Sequence, residues 1–113
     1  MVRDQARESP GTASGAVVYR RSGDVVARRI AGEYLLVPIR GEVADLQRIF
    51  VLNSVGERIW DALDADRRFD DLCGIVEAAF EVDRPTVERD VAEFIGEMEK
   101  AGLLSRLARG EEA

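Results

Sequence analysis

The acidic pairs are the first residues in this chain that could do chemistry. Asp64 and Asp66 are two positions apart, and Asp70 and Asp71 are adjacent. Close carboxylates can act as general acid and base or hold a hard cation through oxygen ligands. The rest of the sequence supplies no partners for either use. Asp64 and Asp66 fall in a charged break, and Asp70 and Asp71 fall at a helix start, where acids complement the N-terminal dipole. The chain has no histidine and a single cysteine, Cys73. That removes the commonest general base, the usual zinc-ligand sets and every Ser-His or Cys-His nucleophile pair. One cysteine also excludes an internal disulfide. No catalytic residue, no metal site and no cofactor are expected.

The charge balance bears on partners. The net charge is −6 over 113 residues. Residues 1–30 hold six arginines and three acids, and residues 31–113 hold ten basic residues and nineteen acids. The acidic part should repel nucleic acid and anionic lipid. No apolar run approaches the roughly 20 residues that span a bilayer. Met1 to Pro10 are polar, without the apolar stretch of a signal peptide, so a cytoplasmic protein with no membrane contact is expected.

The elements that would position a site can be read from periodicity. Residues 1–24 read as a flexible tail, with a turn-rich Ser9–Gly15 stretch, although Ala16 to Tyr19 could be briefly extended. Three strands follow: Val25–Ile30, Tyr34–Val37 and Arg48–Leu52. Ala31-Gly32-Glu33 is a turn. Pro38 should end the second strand or expose its edge, and residues 40–45 read as a loop. Asn53 or Ser54 caps a first helix with Val55, Ile59 and Leu63 on its apolar stripe and Trp60 beside them. A second helix runs from Phe69 to Phe80. A third starts near Pro85, where the missing N–H costs nothing, and stops at Gly102. Cys73 lies on the second helix's apolar stripe and reads as a small buried hydrophobe. Residues 105–113 should fray. Strands followed by helices predict an α+β fold: a three-stranded antiparallel sheet followed by three helices, winged helix-turn-helix-like in its parts.

Those residues carry a resemblance. Val51-Leu52-Asn53 runs into Val55-Gly56-Glu57-Arg58-Ile59-Trp60. A second helix holds Leu72, Ile75 and Val76 and ends Ala79-Phe80-Glu81-Val82-Asp83. Asp90-Val91-Ala92-Glu93-Phe94-Ile95 then leads to Met98-Glu99-Lys100-Ala101-Gly102-Leu103-Leu104. This pattern, over about residues 25–104, resembles the PqqD family of peptide-binding domains. The second helix departs from it, because Arg68-Phe69 stands where the family often has a Thr or Ser cap. The resemblance implies a non-enzymatic protein that binds the leader segment of a ribosomally synthesised precursor peptide. It would present that peptide to a separate modifying enzyme, such as the radical S-adenosylmethionine (radical SAM) enzyme of pyrroloquinoline quinone (PQQ) biosynthesis. Similar domains serve lasso-peptide and thiopeptide pathways. In the family the leader adds as a strand to the edge of the third strand and lies against the third helix.

The residues that would do this follow from that placement. On the third strand they are Arg48, Ile49, Phe50 and Val51. Ile49 and Val51 point to one side, and Phe50 and Leu52 to the other, where core packing is the ordinary outcome. On the third helix they are Val87, Asp90, Phe94 and Glu97, with Asp90 and Glu97 at the margin and Glu97 equally readable as a solvated face. Val91, Ile95 and Met98 are expected in the core. A free edge strand could also pair with a second copy, giving a homodimer. The competing reading is a winged-helix DNA-binding regulator with the third helix as recognition helix. Between Thr86 and Glu99 that helix carries five acids against Arg89 alone, the wrong sign for phosphate.

Overall fold

The computed structural model describes residues 15–41 and 43–107. Two antiparallel sheets and three helices are built from them. The first sheet holds β2 (Asp24–Ile30), β3 (Glu33–Arg40), β4 (Val43–Ala44) and β5 (Phe50–Leu52). β2 flanks β3 on one side, and β4 and then β5 pair along its other side. The second sheet has the order β6 (Arg67–Arg68), β1 (Val18–Arg21), β7 (Leu104–Leu107). The helices are α1 (Ser54–Ala62), α2 (Phe69–Phe80) and α3 (Arg84–Lys100). The fold is α+β, as the order of signals implied, with one more strand in the first sheet and a second sheet that the sequence reading lacked.

Local chemistry explains the turns and caps. Ile30 pairs with Glu33, leaving a two-residue loop in which both Ala31 (φ 54°) and Gly32 (φ 84°) are left-handed. That is the mirror-image turn whose twist matches paired strands. The Asn53 side chain accepts the Gly56 N–H at 2.8 Å and so caps α1. Asp83 does the same for α3 through Thr86 N–H, with Pro85 in the first turn. Gly102, at φ 79°, follows α3 and lets Leu103 and Leu104 fold back into the core.

Pro38 does not end its strand. Its carbonyl accepts the Asp45 N–H at 2.7 Å, so its own missing donor faces the same edge of β3. Along that edge the ladder is interrupted between β4 and β5 by the single 3₁₀ turn Leu46–Arg48. The Asp45 carbonyl opposite the missing donor accepts the Arg48 N–H instead, so the proline leaves no acceptor unmet there and β3 runs on to Arg40. Residues 43 and 44, expected in a loop, pair with β3 as β4.

The largest correction concerns the ends. The expected tail over residues 1–24 is overtaken by β1 and the start of β2, while residues 1–14 lie outside the described residues. β1 is the central strand of its sheet, and Tyr19 is 4% exposed in the core. Two arginines of the expected tail are engaged. Arg20 bonds Asp66 at 2.8 Å, and Arg21 lies 4.5 Å over the Trp60 ring and donates to the Trp60 carbonyl. Likewise, residues 105–107 are not frayed but belong to β7, and residues 108–113 lie outside the described residues. Leu36, Ile59, Trp60, Leu72, Val76, Val91, Ile95 and Met98 make the centre of the core, between the first sheet and the helices.

Candidate functional site

The site is built from one strand edge and one helix face. β5 pairs only with β3 among the described residues. Alternate residues of a strand direct their backbone groups to opposite edges. Pro38 faces the β4–β5 side, so Leu36 and Tyr34 do too, and their partners Phe50 and Leu52 take the bonds to β3. The N–H and C=O of Val51, and of Ile49 just before the strand, therefore face outward. Their side chains are also accessible: Ile49 is 39% exposed and Val51 59%. Phe50 and Leu52 are half-buried and pack against the core.

The open edge has sharp ends. The Arg48 N–H donates to Asp45 in the 3₁₀ turn, and the Asn53 carbonyl accepts the Glu57 N–H as the first bond of α1. Between these points Ile49 and Val51 are the residues that present both backbone groups outward. Arg48 was expected in the strand, but the 3₁₀ turn holds it outside.

Beside this edge lies a groove of about 290 Å³ between the start of α1 and α3. Asn53, Val55 and Gly56 line one wall, and Asp90, Glu93, Phe94 and Glu97 line the other. Phe94 supplies the apolar floor and packs partly on the core. The wall is acidic, and among the described residues no lysine or arginine borders the groove. Lys100 borders a neighbouring depression with Glu93, Gly96 and Glu97, and no ion pair links it to either acid.

The expected site residues thus divide. Asp90, Phe94 and Glu97 come together on the groove wall, with Val51 on β5 and Ile49 just before it, the strand that leads to Asn53 on the groove's other wall. Val87 does not join them: at 1% exposure it is core, because α3 turns that position inward with Val91. Phe50 offers a half-buried side chain and no outward backbone group. Asn53, Val55, Gly56 and Glu93 were missed. Glu93 was legible, since it is three residues after Asp90 and four before Glu97 on one helical face. Gly56 carried a signal too, a glycine inside a helical stripe. Asn53, by its type and place, signals only a helix cap.

A second groove, about 530 Å³, lies on the other flank of α3, lined in part by Tyr19, Phe69, Ala92, Gly96, Glu99 and Arg106. It is larger, but Arg106 spans it, bonding Glu99 at 3.1 Å and lying 5.7 Å over the Tyr19 ring. It borders no open edge of the first sheet. Among the described residues no group of three or more His, Cys, Asp or Glu could hold a metal ion, and no helix is long and apolar enough to cross a membrane. Cys73 is fully buried, and burial pushes its thiol up to about 11.

Residues 33–104 match the family described as coenzyme PQQ synthesis protein D, PqqD. No curated protein matches the chain. Among solved structures, TbiB1 in complex with the TbiA(beta) leader peptide is 32% identical, with a TM-score of 0.63 over 79% of this chain and 98% of that one. A lasso peptide synthetase B1 complexed with its leader peptide is 19% identical, with a TM-score of 0.62 over 77% of this chain and 96% of that one. This second likeness concerns the fold alone.

Proposed function

The chain belongs to the PqqD family, and from that premise we propose that it binds the leader segment of a ribosomally synthesised precursor peptide by strand addition at the outer edge of β5. The family is one of non-catalytic domains, and the chain is a binding protein rather than an enzyme. The observation that carries the binding mode is the open edge at Ile49 and Val51 beside the groove of Asp90, Phe94 and Glu97. An extended peptide added there gains main-chain bonds from the edge and side-chain contacts from the groove, which is how strand addition divides affinity from specificity. The 32% identical TbiB1, solved with a leader peptide bound, supports the same use of the fold.

The bound leader would be presented to a separate modifying enzyme. A radical SAM enzyme is the recipient that the PqqD relationship favours, in PQQ biosynthesis or a related peptide pathway. Calorimetry with the leader of the precursor encoded beside this gene tests binding, with a one-to-one saturable isotherm expected. No heat and no saturable shift at high micromolar peptide would overturn the proposal. Reconstituted modification, with and without this chain, tests the recipient: a radical SAM enzyme that works equally well alone would remove that part.

A further inference from the structure

The acids of α3 are not treated alike by the fold. Glu88 and Glu99 are each held by an arginine, Glu88 by Arg84 and Glu99 by Arg106, both at 3.1 Å. Asp90, Glu93 and Glu97 have no described basic partner. These three are the acids that border the groove beside β5. The asymmetry separates the two flanks of the helix, and the unneutralised flank is the one that borders the groove reached from β5 through Asn53.

We infer that the occupant of this groove is a cationic, extended peptide, whose lysine or arginine side chain meets Asp90, Glu93 and Glu97 while its backbone pairs with Ile49 and Val51. The inference rests on the proposed strand addition and adds the chemistry of the peptide. Two physical arguments support it. A like-charged peptide would bring further negative charge against an uncompensated wall, and that repulsion selects against it. The backbone ladder is also short. Only Ile49 and Val51 present both backbone groups outward between the 3₁₀ turn and the α1 cap, so main-chain bonds alone leave affinity and register poorly fixed. A cation at a set distance from the paired residues supplies register, and Phe94 on the groove floor gives its methylene stem an apolar surface. A second copy of this chain is a poorer occupant, because pairing through β5 would bring two such acidic walls onto one sheet.

Display selection of random ten-residue peptides on the immobilised full chain tests this without assuming a ligand. The same library is selected on D90N/E93Q/E97Q and on V51P, each first checked for a native circular dichroism spectrum and cooperative melting. Should the triple variant fail to fold, E93Q/E97Q replaces it. Wild-type chain should enrich peptides with a lysine or arginine at a fixed spacing from an apolar residue. The cation should vanish from the consensus on the triple variant, and overall enrichment should collapse on V51P. Replacing that lysine by norleucine in a selected peptide should weaken binding to wild type about tenfold and to the triple variant hardly at all. An apolar consensus without a cation, or a cation that persists on the triple variant, overturns this inference and leaves strand addition standing. Enrichment unaffected by V51P, or a dimer in sedimentation that V51P abolishes, overturns strand addition of a peptide at this edge and the inference with it. No enrichment on any variant does the same.

Discussion

A Cβ placed on Gly56 would lie 3.2 Å from Cε1 of Phe94 and 3.4 Å from Oδ1 of Asn53. The glycine is therefore what lets the Phe94 ring lie close against the first turn of α1, and the groove takes its depth from that approach. Gly56→Ala has two opposed effects. Alanine is the better helix former by up to about 1 kcal/mol. The new methyl forces the ring to move by a few tenths of an ångström, and Phe94 lines the groove, so the groove's shape changes with it. Urea denaturation should show a stability within about 1 kcal/mol of wild type, while leader affinity falls several-fold. Equal affinity in a folded variant would mean that Phe94 does not touch the peptide.

The open edge makes a backbone prediction. Val51 directs its N–H outward and follows Phe50, an extended residue, so proline at 51 removes a donor without touching the bonds to β3. Val51→Pro should weaken leader binding at least tenfold while the helices stay folded by circular dichroism. Ile49→Pro is a less direct test. The φ of −72° at Ile49 suits proline, but Arg48 before it is in a 3₁₀ turn, which a following proline disfavours. Some of its effect would then come from the turn rather than from the lost donor. A folded Val51→Pro protein with undiminished affinity would place the peptide elsewhere.

Cys73 predicts a pH dependence of stability. Burial raises its thiol from 9.0 to about 11 in the folded chain. The folded state thus keeps its proton where the unfolded state loses it. The stability is fully present below about pH 9 and is lost as pH rises toward 11, by on the order of 2 kcal/mol. Burial raises Tyr19 and Tyr34 as well, with the same sign. The difference in unfolding free energy between wild type and Cys73→Ala, measured from pH 8 to 11, isolates the thiol. It should shrink across that window. A flat difference would mean that the thiol ionises alike in both states. At neutral pH the native thiol should also resist alkylation.

The sequence disclosed what is local. The three helices were legible because each carries an apolar stripe, and two of them carry a capping residue as well, Asn53 for α1 and Asp83 with Pro85 for α3. Of the acidic groove wall, Asp90 and Glu97 lay at the margin of the α3 stripe while Glu93 between them was passed over, and Val87 was misplaced because membership of a stripe does not say how deep a position lies. Pro38 misled because its cost depends on which edge of β3 its nitrogen faces, and only the register of β4 and β5 fixes that. The second sheet was invisible for a different reason. Tyr19 pairs with Arg67 and Arg106, 48 and 87 positions away, and no local pattern marks such a strand.

That distant pairing makes the last prediction. Tyr19 is a core residue at 4% exposure, and β1 joins β6 to β7. Removing the ring leaves a cavity against the core, and comparable aromatic truncations cost about 3 kcal/mol or more. Tyr19→Ala should lose that much in urea denaturation. Tyr19→Phe keeps the ring and should cost under about 1 kcal/mol. A chain shortened to begin at residue 25, where the family-like pattern starts, loses the whole of β1. It leaves β6 and β7 without the strand that joins them, and exposes the face that Tyr19 covers. Such a chain should lose cooperative thermal unfolding, although it retains β2–β5 and the groove. If it melts as sharply and as high as the full chain, the second sheet is not part of the cooperative fold.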